Sequence, residues 1–354
     1  MDRRDFLSSA AMMAAASTAS MGASSAMAAS AAASKRGGFA TSLKGSFLDL
    51  GTPRGARDAW ARLQGNTDMK STKYGWYKGI VQGVRPGEAV RDLVGFTGFS
   101  CAKFLPNPGE DAGYLKVLRE IGFYTDLRSG EILTEWKNPY LDEVVKVTPV
   151  ANDPFNFAIT DFFPAPPSYG GLNRATPPKI PLRLDFTRKN NALHFFSHLN
   201  LFYPSALQPN KWPRESSGPF VQVTENFLYQ IDWRAMQNPK LTSVGYEGSW
   251  NRITPWMPWM LMGPTPGNCA YQCFMGAYDD INMIDRNVLD YTEKNYPKFM
   301  SAPDKYESPS LSSLENYARE QKPAPVGPEG PRRAPDPELP AWFKAMMQGG
   351  GAPR

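Results

Sequence analysis

Histidine and cysteine are both scarce in this chain. Among 354 residues there are two histidines, His194 and His198, and three cysteines, Cys101, Cys269 and Cys273. An odd, sparse set of cysteines does not make a disulfide framework, and two histidines far from the cysteines give little support for zinc. We therefore expect three buried, unpaired thiols, and we predict neither a metal site nor a cofactor.

Sequence motifs of several common enzyme classes are missing as well. There is no glycine-rich phosphate loop, no Gly-x-Ser-x-Gly elbow and no His-Glu-x-x-His motif. The net charge of +5 comes from 39 basic and 34 acidic residues, without a cluster of Lys and Arg interleaved with aromatic residues. Nucleic acid is therefore not an expected partner.

The N-terminus reads "MDRRDFLSSAAMMAAASTASMGASSAMAAS". Its Arg3-Arg4 pair, weakly apolar run and small residues at 26–28 predict a twin-arginine export signal over residues 1–28. The run is too rich in Ser, Thr and Gly for a membrane span, so we predict no integral membrane segment in the mature protein. We expect a periplasmic protein that meets the twin-arginine export machinery through this signal.

Short strands dominate the sequence from about residue 90 to 285. Alternating or aromatic-rich runs such as "FNFAITDFF", "ALHFFSHLNLFYP" and "VQVTENFLYQIDW" are separated by turn residues, and no helical pattern alternates with them. This pattern disfavours a parallel, doubly wound sheet. The predicted fold is mainly β, a large antiparallel meander of about eight to ten strands that closes into a barrel-like, lipocalin-like sheet.

Helices are predicted only at the two ends of this domain. The N-terminal helix is "TPRGARDAWARLQG", with Thr52-Pro53 at its start and Gly65 past its end. The C-terminal candidates are "DRNVLDYTEKNYPKFM" and "SPSLSSLENYAREQ", with Ser312 or Ser313 as N-cap. Residues 29–50 are expected to be a flexible mature N-terminus, and residues 51–321 a single β-rich domain. The Pro- and Gly-rich tail, 322–354, is expected to be extended or disordered apart from one or two helical turns in "PELPAWFKAMM".

The two histidines lie in "LDFTRKNNALHFFSHLN", which predicts a hairpin turning at Asn190-Asn191. This register sets Thr187 opposite His194, Asp185 opposite Phe196 and Arg183 opposite His198. One face is then apolar, and the other collects a set of polar and aromatic side chains: Arg183, Asp185, His194, Phe196, His198 and Asn200.

The meaning of this second face depends on where it points. If it lines a cavity, His194 or His198 is a candidate general base, with Asp185 orienting it and Arg183 holding an anionic group. In that case Phe196 and Asn200 contact the ligand. If the face meets water, it is an ordinary solvated sheet face.

The segment "GSWNRITPWMPWMLMG" concentrates Trp250, Trp256 and Trp259. Together with Trp76 these side chains are candidates for the rim of an apolar or aromatic ligand site, and core packing or a membrane-surface loop are the other interpretations. Acidic residues offer a separate hypothesis, a carboxylate pair for glycoside hydrolysis. The candidates for it are Glu135, Asp153, Asp161, Asp279 and Asp280.

Three segments carry a resemblance to a known family: "EILTEWKNPYLDEVVKVTPVANDP" (131–154), "SWNRITPWMPWMLMG" (249–263) and "NYPKFMSAPDKYESPSLSSLENY" (295–317). They resemble the bacterial, often twin-arginine-exported proteins that share domain of unknown function 1838. The resemblance spans about residues 55–320. It implies no activity and no catalytic residues.

Three functions are compatible with these observations. The first is an exported barrel that binds a small apolar or aromatic molecule in an internal cavity. The second is a cofactor-independent enzyme, a lyase, isomerase or hydrolase, that uses the His/Asp/Arg cluster in the same cavity. The third is a structural or partner-binding protein whose Trp-rich segment is the contact surface.

Overall fold

A computed structural model of the protein describes residues 43–109, 111–164, 167, 169–171 and 178–337. The predicted export signal and nearly all of the predicted helical turns in the tail lie outside these residues. Within them there are eleven strands and four α-helices. The strands are β1 Lys73–Val84, β2 Arg91–Pro106, β3 Gly113–Thr125, β4 Glu135–Asn138, β5 Glu143–Lys146, β6 Val150–Thr160, β7 Phe186–Lys189, β8 Ala192–Pro204, β9 Phe220–Asp232, β10 Tyr246–Thr254 and β11 Asn268–Tyr278. The helices are α1 Pro53–Gln64, α2 Trp233–Met236, α3 Arg286–Asn295 and α4 Ser313–Glu320.

Nine of the strands form one antiparallel sheet in the order β6-β3-β2-β1-β11-β10-β9-β8-β7. The first and last strands of the chain, β1 and β11, pair in the middle over eleven residue pairs, from Tyr74↔Tyr278 to Val84↔Asn268. The sheet therefore consists of two meanders joined along the β1–β11 seam. It curls into a half-barrel, which confirms the predicted mainly β, antiparallel and barrel-like fold.

The two edge strands approach each other beyond the regular ladders. Phe162, just after β6, bridges to Pro181, just before β7. The amide of Leu182 donates to the Asp161 carbonyl at 2.7 Å, and the amide of Phe163 donates to the Ile180 carbonyl at 2.9 Å. These contacts cover part of both edges, which otherwise expose unpaired backbone groups.

The inner face of the sheet is built from alternate residues, among them Phe96, Tyr124, Trp250 and Tyr271, and it carries the main aromatic core. Helix α1 covers one end of this face. Thr52 caps α1 by accepting a hydrogen bond from the Gly55 amide, as the sequence predicts.

The outer face is covered on one side only. Helix α3 and the 3-10 turn Pro297–Met300 pack on β2 and β3, where Val288 and Phe299 bury against Phe99 and Ile121. Both segments fall inside the helical region predicted for residues 285–300. By contrast, Phe274 on β11 is 72% exposed.

The last described residues run along the domain without regular structure. Ala334 is buried, and its amide donates to Thr265 Oγ1 at 3.1 Å. The guanidinium of Arg85 donates to the Pro335 carbonyl at 2.7 Å. The described part of the predicted tail is therefore extended, and it packs against the domain.

Candidate ligand-binding site

A cavity opens where one end of the half-barrel meets helix α4 and the Trp-rich segment. It encloses about 900 Å³, including the part that is open to solvent. Six aromatic side chains line it: Tyr124, Tyr203, Phe220, Trp256, Trp259 and Tyr317.

The Trp-rich segment forms a fixed wall of this cavity. Pro258 begins a 3-10 turn, Pro258–Met260, that ends at Leu261 with φ of 56°. The Trp256 indole donates to the Thr265 carbonyl at 2.9 Å, and the Trp259 ring lies 4.8 Å from Tyr124, centroid to centroid. The prolines prevent a strand here, and the indole contacts anchor the segment to the core.

Helix α4 forms the opposite wall, and its start is determined by a capping box. Ser312 Oγ accepts from the Glu315 amide at 3.2 Å, while Glu315 Oε2 accepts from the Ser312 amide at 2.7 Å. Ser312 is therefore the N-cap, rather than the other candidate, Ser313. The cap places Asn316 and Tyr317 on the cavity.

A charge pair lies at the inner end of the cavity. Arg252 on β10 pairs in register with Glu225 on β9, and its Nε lies 3.7 Å from Glu225 Oε1. The Trp250 indole donates to Glu225 Oε2 at 3.0 Å. Burial lowers the pKa of Arg252, but Glu225 and then the nearby tyrosines outweigh burial and raise it overall, so this guanidinium stays charged.

Two phenols meet beside this charge pair. The hydroxyls of Tyr124 and Tyr271 are 3.0 Å apart, and Tyr271 donates its single proton to Met257 Sδ at 2.9 Å. Tyr124 is then the donor to Tyr271, because each hydroxyl has one proton to give. Burial raises the pKa of Tyr124 to about 12, so the phenol is neutral at physiological pH.

Four residues that line the cavity carry buried polar atoms without a hydrogen-bond partner in the part of the chain that the structure describes. These atoms are Arg252 Nε, Trp259 Nε1, Glu215 Oε2 and Asn316 Oδ1. Buried polar groups are almost always satisfied in folded proteins, so a concentration of exceptions calls for an explanation. Their shared location gives this cavity two donors and two acceptors that make no hydrogen bond within the described residues.

The histidines lie elsewhere. The hairpin register is as predicted, with Thr187 opposite His194 and Phe186 opposite Phe195. Leu193 and Phe195 are buried on the inner face, so the alternate residues of β8 point outward. Phe196 is 56% exposed, and His198 and Asn200 are exposed as well.

The structure brings part of the predicted His/Asp/Arg cluster together, but on the outer surface. Burial raises the pKa of Asp185, and the charges of Arg183 and His198 partly offset that rise. Arg183 is exposed, and His198 Nδ1 lies 2.8 Å from Asn226 Oδ1. Strand β7 begins only at Phe186, so the ladder does not reach Asp185 or Arg183. A catalytic role for this cluster stays a prediction.

The four tryptophans predicted to contact a ligand separate into three groups. Trp256 and Trp259 line the cavity. Trp250 is on the inner face, where it packs against Tyr77 and Phe227, but it lies behind the cavity wall. Trp76 belongs to the outer face and packs with the cluster under α3.

The acidic residues considered for a glycoside-hydrolysing pair are dispersed. Asp153 pairs with Arg119 and Lys298, and Asp161 pairs with Arg57. The remaining three take other positions. Glu135 is exposed, Asp279 accepts from Asn66, and Asp280 caps the 3-10 turn Ile281–Met283.

Metal binding receives no support from the described part of the chain. No group of three or more His, Cys, Asp and Glu side chains there is arranged to hold an ion. Cys101, Cys269 and Cys273 are free and buried, as predicted, and burial raises the pKa of each thiol to about 12.

The sequence interpretation missed several residues of the cavity: Tyr124, Tyr203, Glu215, Arg252 and Asn316. One signal was available for Arg252. Side chains alternate along a strand, so in "SWNRIT" Arg252 shares a face with Trp250, which the sequence analysis named as a candidate ligand contact. The others come from segments up to about 190 residues apart in the chain, so only the tertiary fold shows that they meet.

Fold and cavity together define a class, an antiparallel half-barrel with an aromatic internal cavity. The sequence comparison adds the family. The model of a protein family of unknown function, DUF1838, matches residues 70–321, well over half of the chain, and the chain belongs to this family. No curated protein matches it. None of the described helices is both long enough and apolar enough to cross a bilayer.

Proposed function

We propose that this protein binds a small apolar or aromatic molecule in the cavity between helix α4 and the Trp-rich segment. The observation that carries the proposal is the coincidence of aromatic walls with unpaired buried polar atoms. Pockets for small molecules are mostly apolar, with a few convergent polar groups that fix orientation. Trp256, Trp259 and Tyr317 supply the ring contacts, and Arg252, Glu215 and Asn316 supply the polar ones.

The test is a binding screen with small ring compounds of different charge, read by intrinsic tryptophan fluorescence and by isothermal titration calorimetry. Trp256 and Trp259 serve as local reporters because both line the cavity. A Ser313→Trp variant places an indole at the cavity wall, since Ser313 lines it at the first turn of α4. Asn287→Trp is the matched control, at the exposed first turn of α3.

We expect Ser313→Trp to weaken binding about tenfold or more, which corresponds to about 1.4 kcal/mol. Asn287→Trp should bind like the wild type. Circular dichroism checks that both variants are folded. The proposal fails if no ring compound binds the wild type, or if Ser313→Trp binds as tightly as the control.

We also propose that the protein acts outside the cytoplasm. The support is the Arg3-Arg4 pair followed by a weakly apolar run and small residues. An exported protein that uses the twin-arginine route folds before export, and three free, buried cysteines are compatible with folding in a reducing compartment.

A further inference from the structure

Glu215 is a buried carboxylate without a cationic partner. It is 3% exposed, and only one of its oxygens is used, since Oε1 accepts from the Ala324 amide at 2.5 Å. Oε2 has no hydrogen-bond partner among the described residues. No ion pair involves Glu215 anywhere in the part of the chain that the structure describes.

The neighbouring arginine does not compensate this charge. Arg214 directs its Nη2 to both oxygens of Glu143, at 2.6 and 2.8 Å, and its Nη1 to the Pro325 carbonyl. Arg252, the guanidinium on the same cavity, is itself paired with Glu225. The cavity therefore holds one carboxylate that no neighbouring cation neutralises.

A buried ion without a partner is costly, and proteins normally pair such a charge or leave it for a ligand. Glu215 lines the cavity together with Trp256 and Tyr317. Electron-rich ring faces attract cations, and a carboxylate adds a charge-assisted hydrogen bond. An ammonium group satisfies both kinds of contact, because it gives up to three N–H donors and one positive charge.

We propose that the ligand of this cavity is an organic ammonium compound, a ring or apolar body with a protonated amine that donates to Glu215 Oε2. This inference rests on the proposed binding function. Asn316 Oδ1 is a second free acceptor on the same wall and takes another donor of the ligand. An inorganic cation is a poorer fit, because the walls are aromatic and Glu215 is a single carboxylate.

The experiment compares three probes that share a phenyl ring and a two-carbon linker. They are 2-phenylethylamine, 2-phenylethanol and 3-phenylpropionate, which are cationic, neutral and anionic at neutral pH. Calorimetry measures the affinity of each for the full mature protein. We expect the amine to bind about tenfold or more tightly than the alcohol, and the acid to bind most weakly.

Two variants assign the preference to one carboxylate. Glu215→Gln should remove the advantage of the amine and leave the affinity for the alcohol within about twofold of the wild type. Glu293→Gln is the matched control, because Glu293 is an exposed carboxylate on α3, outside the residues that line the cavity, and it should keep the preference.

The outcomes separate the two proposals. Binding of the alcohol or the acid as tightly as the amine overturns the ammonium assignment and leaves the binding function standing. If none of the probes binds, both proposals are overturned. The order of the three affinities for the wild-type protein tests the ammonium assignment even if Glu215→Gln does not fold.

Discussion

Arg252 and Glu225 face each other from neighbouring strands, with Nε 3.7 Å from Oε1, inside a half-barrel whose inner face carries the main aromatic core. Trp250 donates to the other oxygen of the same carboxylate. The carboxylates of Glu225 and Glu215 differ in their partners. Glu225 has its cation and its hydrogen bond, whereas Glu215 lacks a cation.

Removing one member of this buried pair should destabilise the folded protein strongly. Arg252→Met leaves Glu225 charged in an apolar interior, and we expect it to lower the free energy of unfolding by about 3 kcal/mol. Adding Glu225→Gln should recover part of this loss, because the unpaired charge is then gone. Urea denaturation followed by circular dichroism gives both values.

The control for this prediction is the surface pair of Lys78 and Asp285, which lies 2.7 Å apart but is about half exposed. Lys78→Met should change stability by less than about 1 kcal/mol. A loss for Arg252→Met no larger than that for Lys78→Met would contradict a desolvated pair in the interior.

Lys116 should make the stability depend on pH. Burial, with a smaller contribution from Lys73, lowers the pKa of Lys116 to about 7, while the unfolded chain keeps the ordinary value of 10.5. Between these values the unfolded state binds more protons, so stability rises with pH by up to about 1.4 kcal/mol per unit. The effect fades above the unfolded pKa.

Urea denaturation at several pH values from 6 to 10 tests this prediction. Lys116→Met removes the titrating group, so its stability relative to the wild type should be highest near pH 7 and fall as pH rises. The exposed Lys78→Met variant should show no such trend. A difference between Lys116→Met and wild type that stays constant with pH would rule out a depressed pKa at this position.

The two N-caps allow stability and binding to be separated. Ser312→Ala and Thr52→Ala each remove a side chain that accepts a helix amide, and each should cost about 1 kcal/mol of stability. Only Ser312 caps the helix that walls the cavity. We therefore expect weaker ligand binding for Ser312→Ala, and unchanged binding for Thr52→Ala. Equal effects of both variants on binding would place the ligand away from α4.

The histidines give a test of which face of the sheet matters. A His194→Ala/His198→Ala variant changes only the outer face of β8, so calorimetry should find ligand affinity within about twofold of the wild type, a difference below about 0.5 kcal/mol. A large loss of affinity or of turnover in this variant would restore the cluster of Asp185, His194 and His198 as the site.

Export can be tested directly through the arginine pair. Arg3→Lys together with Arg4→Lys should retain the precursor in the cytoplasm, because the pair is the feature that marks the signal. Cell fractionation with immunoblotting compares the variant with the wild type. Wild-type protein found only in the cytoplasmic fraction would contradict the proposed periplasmic location.

Local patterns were sufficient for much of the fold. Thr52 and Pro53 predict the start of α1, and the hairpin at Asn190-Asn191 predicts the register that β7 and β8 adopt. Both features depend on residues close together in sequence, where capping and turn preferences act. The aromatic, alternating runs likewise predict antiparallel strands.

The direction in which the polar face of β8 points could not be read from the same pattern. Alternation separates His194 and His198 from Leu193 and Phe195, but it does not say which set faces the interior, and exposed Phe196 made the polar set resemble a cavity wall. The choice is made by α1, whose Trp60 packs edge-on against Phe195 at 5.4 Å. A helix more than 100 residues earlier in the chain thus covers the face that is buried.

The sequence by itself determined the strand-rich class, the helix caps and the hairpin register, because each follows from short-range periodicity and backbone preference. Only the tertiary structure determined which residues meet in the candidate cavity. Glu215, Arg252 and Asn316 meet through strand pairing and helix docking over long separations in the chain. Whether the negative charge of a buried carboxylate is balanced by a cation depends on which side chains surround it in space.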